Sequence, residues 1–117
     1  MATIGLLPHP NRQEAVTLAA VTASWLIAEG HRAMVFGAVI PDVPDGSPSE
    51  RRLASQLDLA VSLGGDGTML RTVDLVTPFG VPVLGVNVGH LGFLTEIAPA
   101  ELPQALKQFL AGDYRIE

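Results

Sequence analysis

The sequence predicts an α/β fold built on a doubly wound parallel sheet, in which helices cover both faces. Short apolar and β-branched runs alternate with longer stretches of helical spacing, which is the pattern of strand–helix–strand units. Loops that begin at Pro8, Gly64 and Gly89 each follow a predicted strand. Because ligands of such sheets bind beyond the carboxyl ends of the strands, we expect these loops to open on one edge and to form a site there.

The first predicted strand and helix occupy the opening quarter of the chain. Residues 3–7 form a short aliphatic run that Pro8 ends, and a turn follows. Asn11 is expected to cap a helix that runs to about Glu29, since apolar residues recur there at helical spacing. Gly30 is the residue type that commonly ends a helix, so it is predicted to stop this one.

The middle of the chain predicts two further strands, separated by a loop and a short helix. Residues 33–40 are expected to form the second strand. Residues 41–49 hold three prolines and two aspartates and show no periodic pattern, so they are predicted to form a loop. A short helix over 49–56 then leads into the apolar third strand, residues 57–63.

The last part of the chain continues the alternation. Residues 68–76 are predicted to form a helix, and residues 81–88 the fourth strand, with a proline near its start where a missing N–H does least harm. Residues 99–111 are expected to form a helix that a glycine ends. Residues 114–117 read as the beginning of another strand.

Composition excludes several classes of protein. The 117 residues suffice for one small domain, and 48% hydrophobic residues with 16% charged residues describe an ordinary globular chain. A formal net charge of −5 argues against a nucleic-acid surface or an anionic membrane surface as partner. The absence of cysteine excludes disulfides and thiolate metal sites. No signal peptide or bilayer-spanning run is evident, so a cytoplasmic protein is expected.

The most informative segment is Gly64-Gly65-Asp66-Gly67-Thr68, directly after the third predicted strand. Three glycines in four positions let backbone N–H groups approach a ligand closely, which is how proteins cradle phosphate. A carboxylate in such a loop repels phosphate unless it accepts a proton, holds a hydroxyl or carries a metal. The segment therefore points to phosphoryl transfer rather than to passive anion binding.

Other interpretations of this loop remain open. It is not a P-loop, because no Gly-Lys-Ser/Thr follows, and it lacks the third small residue of a dinucleotide fingerprint, since Leu70 stands there. Asp66 could instead be an N-cap of the helix 68–76. Arg71 lies near the start of that helix, where a cation is unfavourable without an anion to meet; it could contact a ligand or pair with Asp74.

The second glycine-bearing loop carries further candidates. Asn87 precedes it and is either a ligand-binding residue or an ordinary turn residue. Phe93 lies within it and could stack on a base or pack in the core. His9 and His90 are lone histidines without the paired spacing of a metal site, so solvated side chains are the commoner outcome. No metal-ligating residues are predicted.

Two segments together resemble the NAD kinase family: residues 64–71, Gly-Gly-Asp-Gly-Thr-Met-Leu-Arg, and residues 81–96, which include Gly-Val-Asn-Val-Gly-His-Leu-Gly-Phe. The first segment is also similar to diacylglycerol and sphingosine kinases, but the Glu, Asn-Gly and Gly-Thr-x-Asn expected of those lipid kinases are absent. The resemblance extends over nearly the whole chain. It implies a Rossmann-like N-terminal domain similar to those of phosphofructokinase and diacylglycerol kinase.

The resemblance implies transfer of the ATP γ-phosphoryl to the adenosine 2′-hydroxyl of NAD, giving NADP. Asp66 matches the proton acceptor, Gly67 and Arg71 match positions that line the NAD site, and Phe93 matches an aromatic residue near adenine. Mg²⁺ or another divalent cation is expected with ATP. The expected substrate-binding residues are Gly64, Gly65, Gly67, Thr68, Arg71, Asn87 and Phe93.

The resemblance also implies that a second, mostly β domain follows. Residues 1–113 are then the α/β domain with the glycine loop, and residues 114–117 the entry to the missing C-terminal domain. Such a fragment is expected to be inactive alone, and the full-length protein to form a homo-oligomer that binds NAD and ATP but no nucleic acid or membrane. The alternatives are a lipid kinase of the diacylglycerol kinase type and a non-catalytic nucleotide-binding module.

Overall fold

The structure is a computed structural model that describes residues 1–46, 50–88 and 97–112, without the side chains of Glu50 and Arg51. Within that part of the chain, four strands form one parallel sheet in the order β2-β1-β3-β4. The strands are β1 (Thr3–Pro8), β2 (Arg32–Val35), β3 (Leu59–Gly64) and β4 (Val83–Asn87). The parallel sheet confirms the predicted fold class.

Helices cover both faces of this sheet, as a doubly wound fold requires. They are α1 (Gln13–Ala28), α2 (Glu50–Ala54), α3 (Asp66–Val76) and α4 (Leu102–Leu110). One apolar core joins α1 and α4 to the sheet, and a second core joins α2 and α3 to its other face. Among the described residues, no helix is long and apolar enough to cross a membrane.

Each strand supplies both cores because side chains alternate across a pleated sheet. In β1, Leu6 belongs to the core under α1 and α4, and Leu7 belongs to the core under α2 and α3. In β3, Val61 and Ala60 divide in the same way. Strands buried on both faces explain the nearly continuous apolar runs in the sequence.

The direction in which successive strands are added to the sheet reverses between β1 and β3. The chain leaves β1 through α1 to reach β2 on one side, and then returns through α2 to β3 on the other side. The connections of these two neighbouring strands diverge beyond their carboxyl ends and leave a crevice, which is the usual ligand position in doubly wound sheets. The β1–β3 junction is therefore the place to look for a site.

The start of α1 differs from the sequence prediction. Asn11 is not the N-cap: α1 begins at Gln13 with Arg12 in the cap position and no side-chain cap bond. The backbone N–H of Asn11 instead donates to Nδ1 of His9 at 3.1 Å. The other end is as predicted, since Gly30, at φ +86°, follows the last turn.

The second strand is shorter than the predicted span of residues 33–40. It ends at Val35, and the chain then turns through Gly37 at φ +86° and returns to form a bridge between Val35 and Asp45. The N–H of Val35 donates to the Pro44 carbonyl at 2.9 Å. A left-handed glycine therefore ends β2, although the apolar run continues beyond it.

The remaining differences are shifts of element ends. β3 and β4 each begin two residues later than predicted, and α2 is shorter than the predicted span 49–56, whose first residue lies outside the described part. Residues Pro99–Glu101 form a 3₁₀ turn before α4, so the predicted helix 99–111 is divided. The predicted strand 114–117 lies outside the described residues.

Candidate functional site

The ends of β1, β3 and β4 lie side by side at the carboxyl edge of the sheet. The backbone N–H of His9 donates to the Leu63 carbonyl at 2.9 Å, and the N–H of Val88 donates to the Gly64 carbonyl at 2.9 Å. The loops that begin at Pro8 and Gly64 therefore open on one edge, as predicted. The third loop, residues 89–96, lies outside the described residues.

Gly64 is a glycine because the chain packs tightly around it. A Cβ at this position would lie 2.5 Å from Oγ1 of Thr68 and 3.3 Å from Cβ of His9. Thr68 is buried in the first turns of α3, with 7% of its surface exposed. The glycine thus allows α3 to sit directly on the end of β3, and packing within the protein is sufficient to explain it.

Gly65 and Gly67 have no such explanation. Beyond the chain neighbours and the nearby helix backbone, no described atom lies within 4 Å of a Cβ built at either position. Neither glycine has a positive φ, and Gly65 is extended, at φ −118°. The packing of the described residues and the backbone conformation would therefore accept a side chain here. The open space above the start of α3 allows a ligand to approach the backbone closely, and a side chain would fill it.

Asp66 is the first residue of α3, and Gly65 occupies the N-cap position. The interpretation of Asp66 as the N-cap is therefore wrong. The side chain is partly buried at the carboxyl edge, between the two glycines that leave open space. A carboxylate in the first turn of a helix interacts favourably with the helix dipole, which helps to keep a charged group in this loop.

Asn87 lies next to Gly64 in the sheet register. Its neighbour Val86 belongs to the core under α1 and α4, so alternation places the Asn87 side chain on the α3 face. Its Oδ1 is buried and has no hydrogen-bond partner among the described residues. A buried acceptor of this kind is costly unless a donor reaches it, so Asn87 remains a candidate for ligand contact.

Ser62 was not identified from the sequence, because it sits within an apolar run. It lies two residues before Gly64 on the same face of β3, is fully buried, and its Oγ has no hydrogen-bond partner among the described residues. By contrast, the buried Thr72 hydroxyl donates to the Thr68 carbonyl at 2.8 Å. Nothing local in the sequence separates these two hydroxyls.

Arg71 reaches from α3 towards the loop that follows β2. A Cβ added to Gly37 would lie 2.5 Å from Nη2 of Arg71, so the guanidinium lies directly over that glycine. The side chain is exposed, one turn after the glycine loop. This packing connects the start of α3 to the β2 end of the carboxyl edge, which a surface pair with Asp74 would not explain.

Three predictions remain, on Phe93, on metal ligands and on His9. Phe93 lies outside the described residues. Within the described residues, no group of three or more histidine, aspartate or glutamate side chains could hold a metal ion. His9, expected to be a solvated loop residue, is partly buried and lies against the glycine loop.

Comparison with known proteins shows that this chain is similar to NAD kinases. The family model described as the ATP-NAD kinase N-terminal domain matches residues 4–114. The NAD kinase of Heliobacterium modesticaldum is 43% identical over 121 aligned positions, which cover 100% of this chain and 42% of that protein. The NAD kinase of Moorella thermoacetica is 63% identical over 57 residues, which cover 49% of this chain and 18% of that protein.

A solved structure supports the fold independently. The structure described as yeast NADH kinase complexed with NADH superimposes with a TM-score of 0.73 at 21% sequence identity, over 97% of this chain and 39% of that one. This chain thus spans about 42% of the length of the first two full-coverage relatives. With the family model matching almost every residue, the chain belongs to the ATP-NAD kinase N-terminal domain family.

Proposed function

We propose that this chain is the N-terminal domain of an NAD kinase, which transfers the γ-phosphoryl group of ATP to the adenosine 2′-hydroxyl of NAD and gives NADP. Membership of the family supports this reaction. The observation that carries the proposal is the position of Asp66, partly buried at the β1–β3 reversal between two glycines that leave open space. The family model and the relatives named above are NAD kinases, which favours this reaction over the lipid kinase alternative.

Asp66 would act on the ribose hydroxyl that is phosphorylated. Its carboxylate accepts a hydrogen bond from the 2′-hydroxyl and holds that oxygen in line with the γ-phosphorus. In a loose phosphoryl-transfer transition state, the nucleophile needs orientation more than early deprotonation. Asp66 can then take the proton late, as the new O–P bond forms and the bond to ADP breaks.

The glycine loop would contact the phosphates. Backbone N–H groups at Gly65 and Gly67 can approach phosphate oxygens because no side chain fills the space above them. The positive end of the α3 dipole adds to this attraction. The buried Thr68 side chain would support the loop by packing against Gly64. The buried Oδ1 of Asn87 would accept a hydrogen bond from a donor on the nucleotide.

Mg²⁺ or another divalent cation is proposed to arrive with ATP. Such an ion would be held mainly by phosphate oxygens and water, as Mg²⁺ commonly is in nucleotide sites. When bound, the cation neutralises phosphate charge. Arg71 would add a cationic contact to NAD from α3, and Phe93 an aromatic contact to adenine.

We further propose the domain division described above, with residues 1–113 as the α/β domain and residues 114–117 as the entry to a C-terminal β domain. The chain holds only 7 lysine and arginine residues, and its one lysine, Lys107, lies on α4. ATP and NAD together carry more negative charge than these groups can meet near the loop. The chain alone is therefore expected to be inactive. The resemblance to the family further implies that the complete protein is a cytoplasmic homo-oligomer.

One assay tests the proposed reaction. The complete protein is given labelled ATP with a divalent cation and either NAD or dispersed diacylglycerol. We expect labelled NADP and no labelled lipid. A labelled lipid would support the lipid kinase alternative, and no product with either acceptor would support a non-catalytic binding module. The 117-residue chain assayed in parallel should form no NADP, and a rate similar to that of the complete protein would contradict the domain argument.

A further inference from the structure

His9 lies at the β1–β3 junction, where the connections that leave the two strands diverge to opposite sides. It directly follows β1, and its backbone N–H continues the pairing with β3 by donating to the Leu63 carbonyl at 2.9 Å. Its own carbonyl accepts from the N–H of Arg12 at 3.2 Å. A Cβ added to Gly64 would lie 3.3 Å from the His9 Cβ. The residue is therefore fixed on both sides of its backbone and packed against the glycine loop.

The loop also fixes the imidazole ring. Nδ1 of His9 accepts a hydrogen bond from the backbone N–H of Asn11 at 3.1 Å. A ring nitrogen that accepts a hydrogen bond carries no proton, so this bond implies the tautomer with its proton on Nε2. Nε2 is the ring nitrogen farther from the backbone. The loop thus holds the ring in one orientation and provides an N–H donor at its distal end.

The surroundings of this donor favour an anionic oxygen. The N-termini of α1 and α3 open at the same edge, one on each face of the sheet, and both attract negative charge. Gly65 and Gly67 leave open space beside the β3 end of the junction. A polar N–H donor at this junction is complementary in charge to a phosphate oxygen.

We propose that His9 is a substrate-binding residue whose Nε2–H donates a hydrogen bond to a phosphate oxygen of a nucleotide bound across the β1–β3 junction. The inference rests on the proposed function, because it names one contact within the same site. Both ATP and NAD carry phosphate oxygens. The experiment below therefore distinguishes the two nucleotides as the source of that oxygen.

Two substitutions in the complete protein separate the two nitrogens of the ring. His9→Asn keeps a side-chain acceptor for the Asn11 N–H, as in an Asx turn, and removes the distal donor. His9→Gln instead provides an amide N–H near the position of Nε2. We expect His9→Asn to raise the KM for one nucleotide about tenfold, the value of one hydrogen bond to a charged group, with kcat and melting temperature nearly unchanged.

The same measurements contain their own controls. His9→Gln should recover most of the lost affinity, and the nucleotide whose KM changes identifies the source of the phosphate. His31 is a matched histidine: its Nδ1 also accepts a backbone N–H, from Ala2 at 3.0 Å, but at the opposite edge of the sheet. His31→Asn should leave both KM values unchanged. Unchanged KM values in His9→Asn would overturn the proposal.

A spectroscopic measurement on the unmodified complete protein decides the question even where a variant fails to fold. The ¹⁵N resonance of His9 Nε2 should shift when the protein is saturated with ATP or with NAD, whereas the His31 ring should not respond. No shift with either nucleotide would contradict the inference. If NADP forms but the His9 resonance does not shift, only this inference is contradicted. If the resonance shifts but no NADP forms, only the proposed reaction is contradicted.

Discussion

The two edges of the sheet carry the same pair of residue types, a histidine and an aspartate, in different surroundings. At the amino edge, His31 accepts from the N–H of Ala2 at 3.0 Å, and Asp58 accepts from the N–H of Thr3 at 2.8 Å. Both side chains bond to backbone distant in sequence and hold the beginning of β1 in place. These side chains are committed to the structure of the domain.

At the carboxyl edge, the corresponding pair surrounds open space. His9 uses Nδ1 for the local turn and keeps a donor at Nε2, and Asp66 begins α3 between glycines that no described atom crowds. Asn87 adds a buried acceptor without a partner among the described residues. A buried acceptor that has no partner among the described residues costs stability unless a donor reaches it, which is typical of a ligand site.

The largest difference in stability is expected between alanine substitutions at two adjacent glycines, Gly64 and Gly65. Gly64→Ala places a methyl group 2.5 Å from Thr68 Oγ1 and should lower the free energy of unfolding by about 1–3 kcal/mol. Gly65→Ala meets no described atom within 4 Å beyond its chain neighbours and should cost less than about 1 kcal/mol, while it raises the KM for a nucleotide. Urea denaturation and kinetics of the complete protein measure both. Equal destabilisation would contradict the distinction between packing and ligand space.

A second pair of glycines tests the position of Arg71. Gly30 and Gly37 both have φ +86°, but only the latter would place a Cβ against Arg71, at 2.5 Å from Nη2. Each change to alanine should cost about 1–2 kcal/mol through backbone strain, and Gly37→Ala should add only a small loss, because the exposed Arg71 guanidinium that it displaces is the end of a flexible side chain. Arg71→Ala should cancel that additional loss in a double-mutant cycle of thermal stability. A cycle without coupling would show that the guanidinium does not depend on this glycine.

Substitutions at the amino edge should change the stability of the protein but not its kinetics. Asp58→Ala removes the acceptor of the Thr3 N–H and should cost about 1 kcal/mol, because solvent weakens a hydrogen bond to a charged group in an exposed position. The kcat and KM values of the complete protein should not change. A clear loss of kcat in folded Asp58→Ala would show that the two edges do not divide stability from function as argued.

The smallest effect is expected at the buried hydroxyl under α3. Ser62→Ala removes an oxygen that has no partner among the described residues, so stability should be unchanged or rise by up to about 1 kcal/mol. Thr72→Val removes a formed bond to the Thr68 carbonyl and should lower stability by about 1 kcal/mol. Denaturation midpoints measure both changes. Destabilisation by Ser62→Ala would mean that this hydroxyl is satisfied.

The sequence was sufficient for the features that depend on local patterns. Apolar runs that alternate with stretches of helical spacing indicated the parallel sheet, and the glycine loop indicated the candidate site around Asp66. Local signals failed where the backbone conformation of a turn decides the outcome. β2 ends just before the left-handed Gly37, and the backbone N–H of Asn11 bonds to His9 in a turn that precedes α1.

The role of His9 could not be read from its neighbours in the chain. Its position depends on the pairing of β1 with β3, whose partner residues are 55 apart, as in Leu7 and Ser62. The same pairing buries Ser62, which lies within an apolar run where no sequence signal distinguishes it. Residues that acquire importance through strand order are therefore the ones that a reading of motifs misses.

The most direct measurement is kcat for NADP formation by the complete protein with two matched substitutions, Asp66→Asn and Asp58→Asn. We expect Asp66→Asn to lower kcat by about 10²-fold or more, as loss of a positioned acid–base group does, while NAD affinity is retained. Asp58→Asn should keep the wild-type kcat. A value for Asp66→Asn within a few-fold of wild type would contradict the role assigned to this carboxylate.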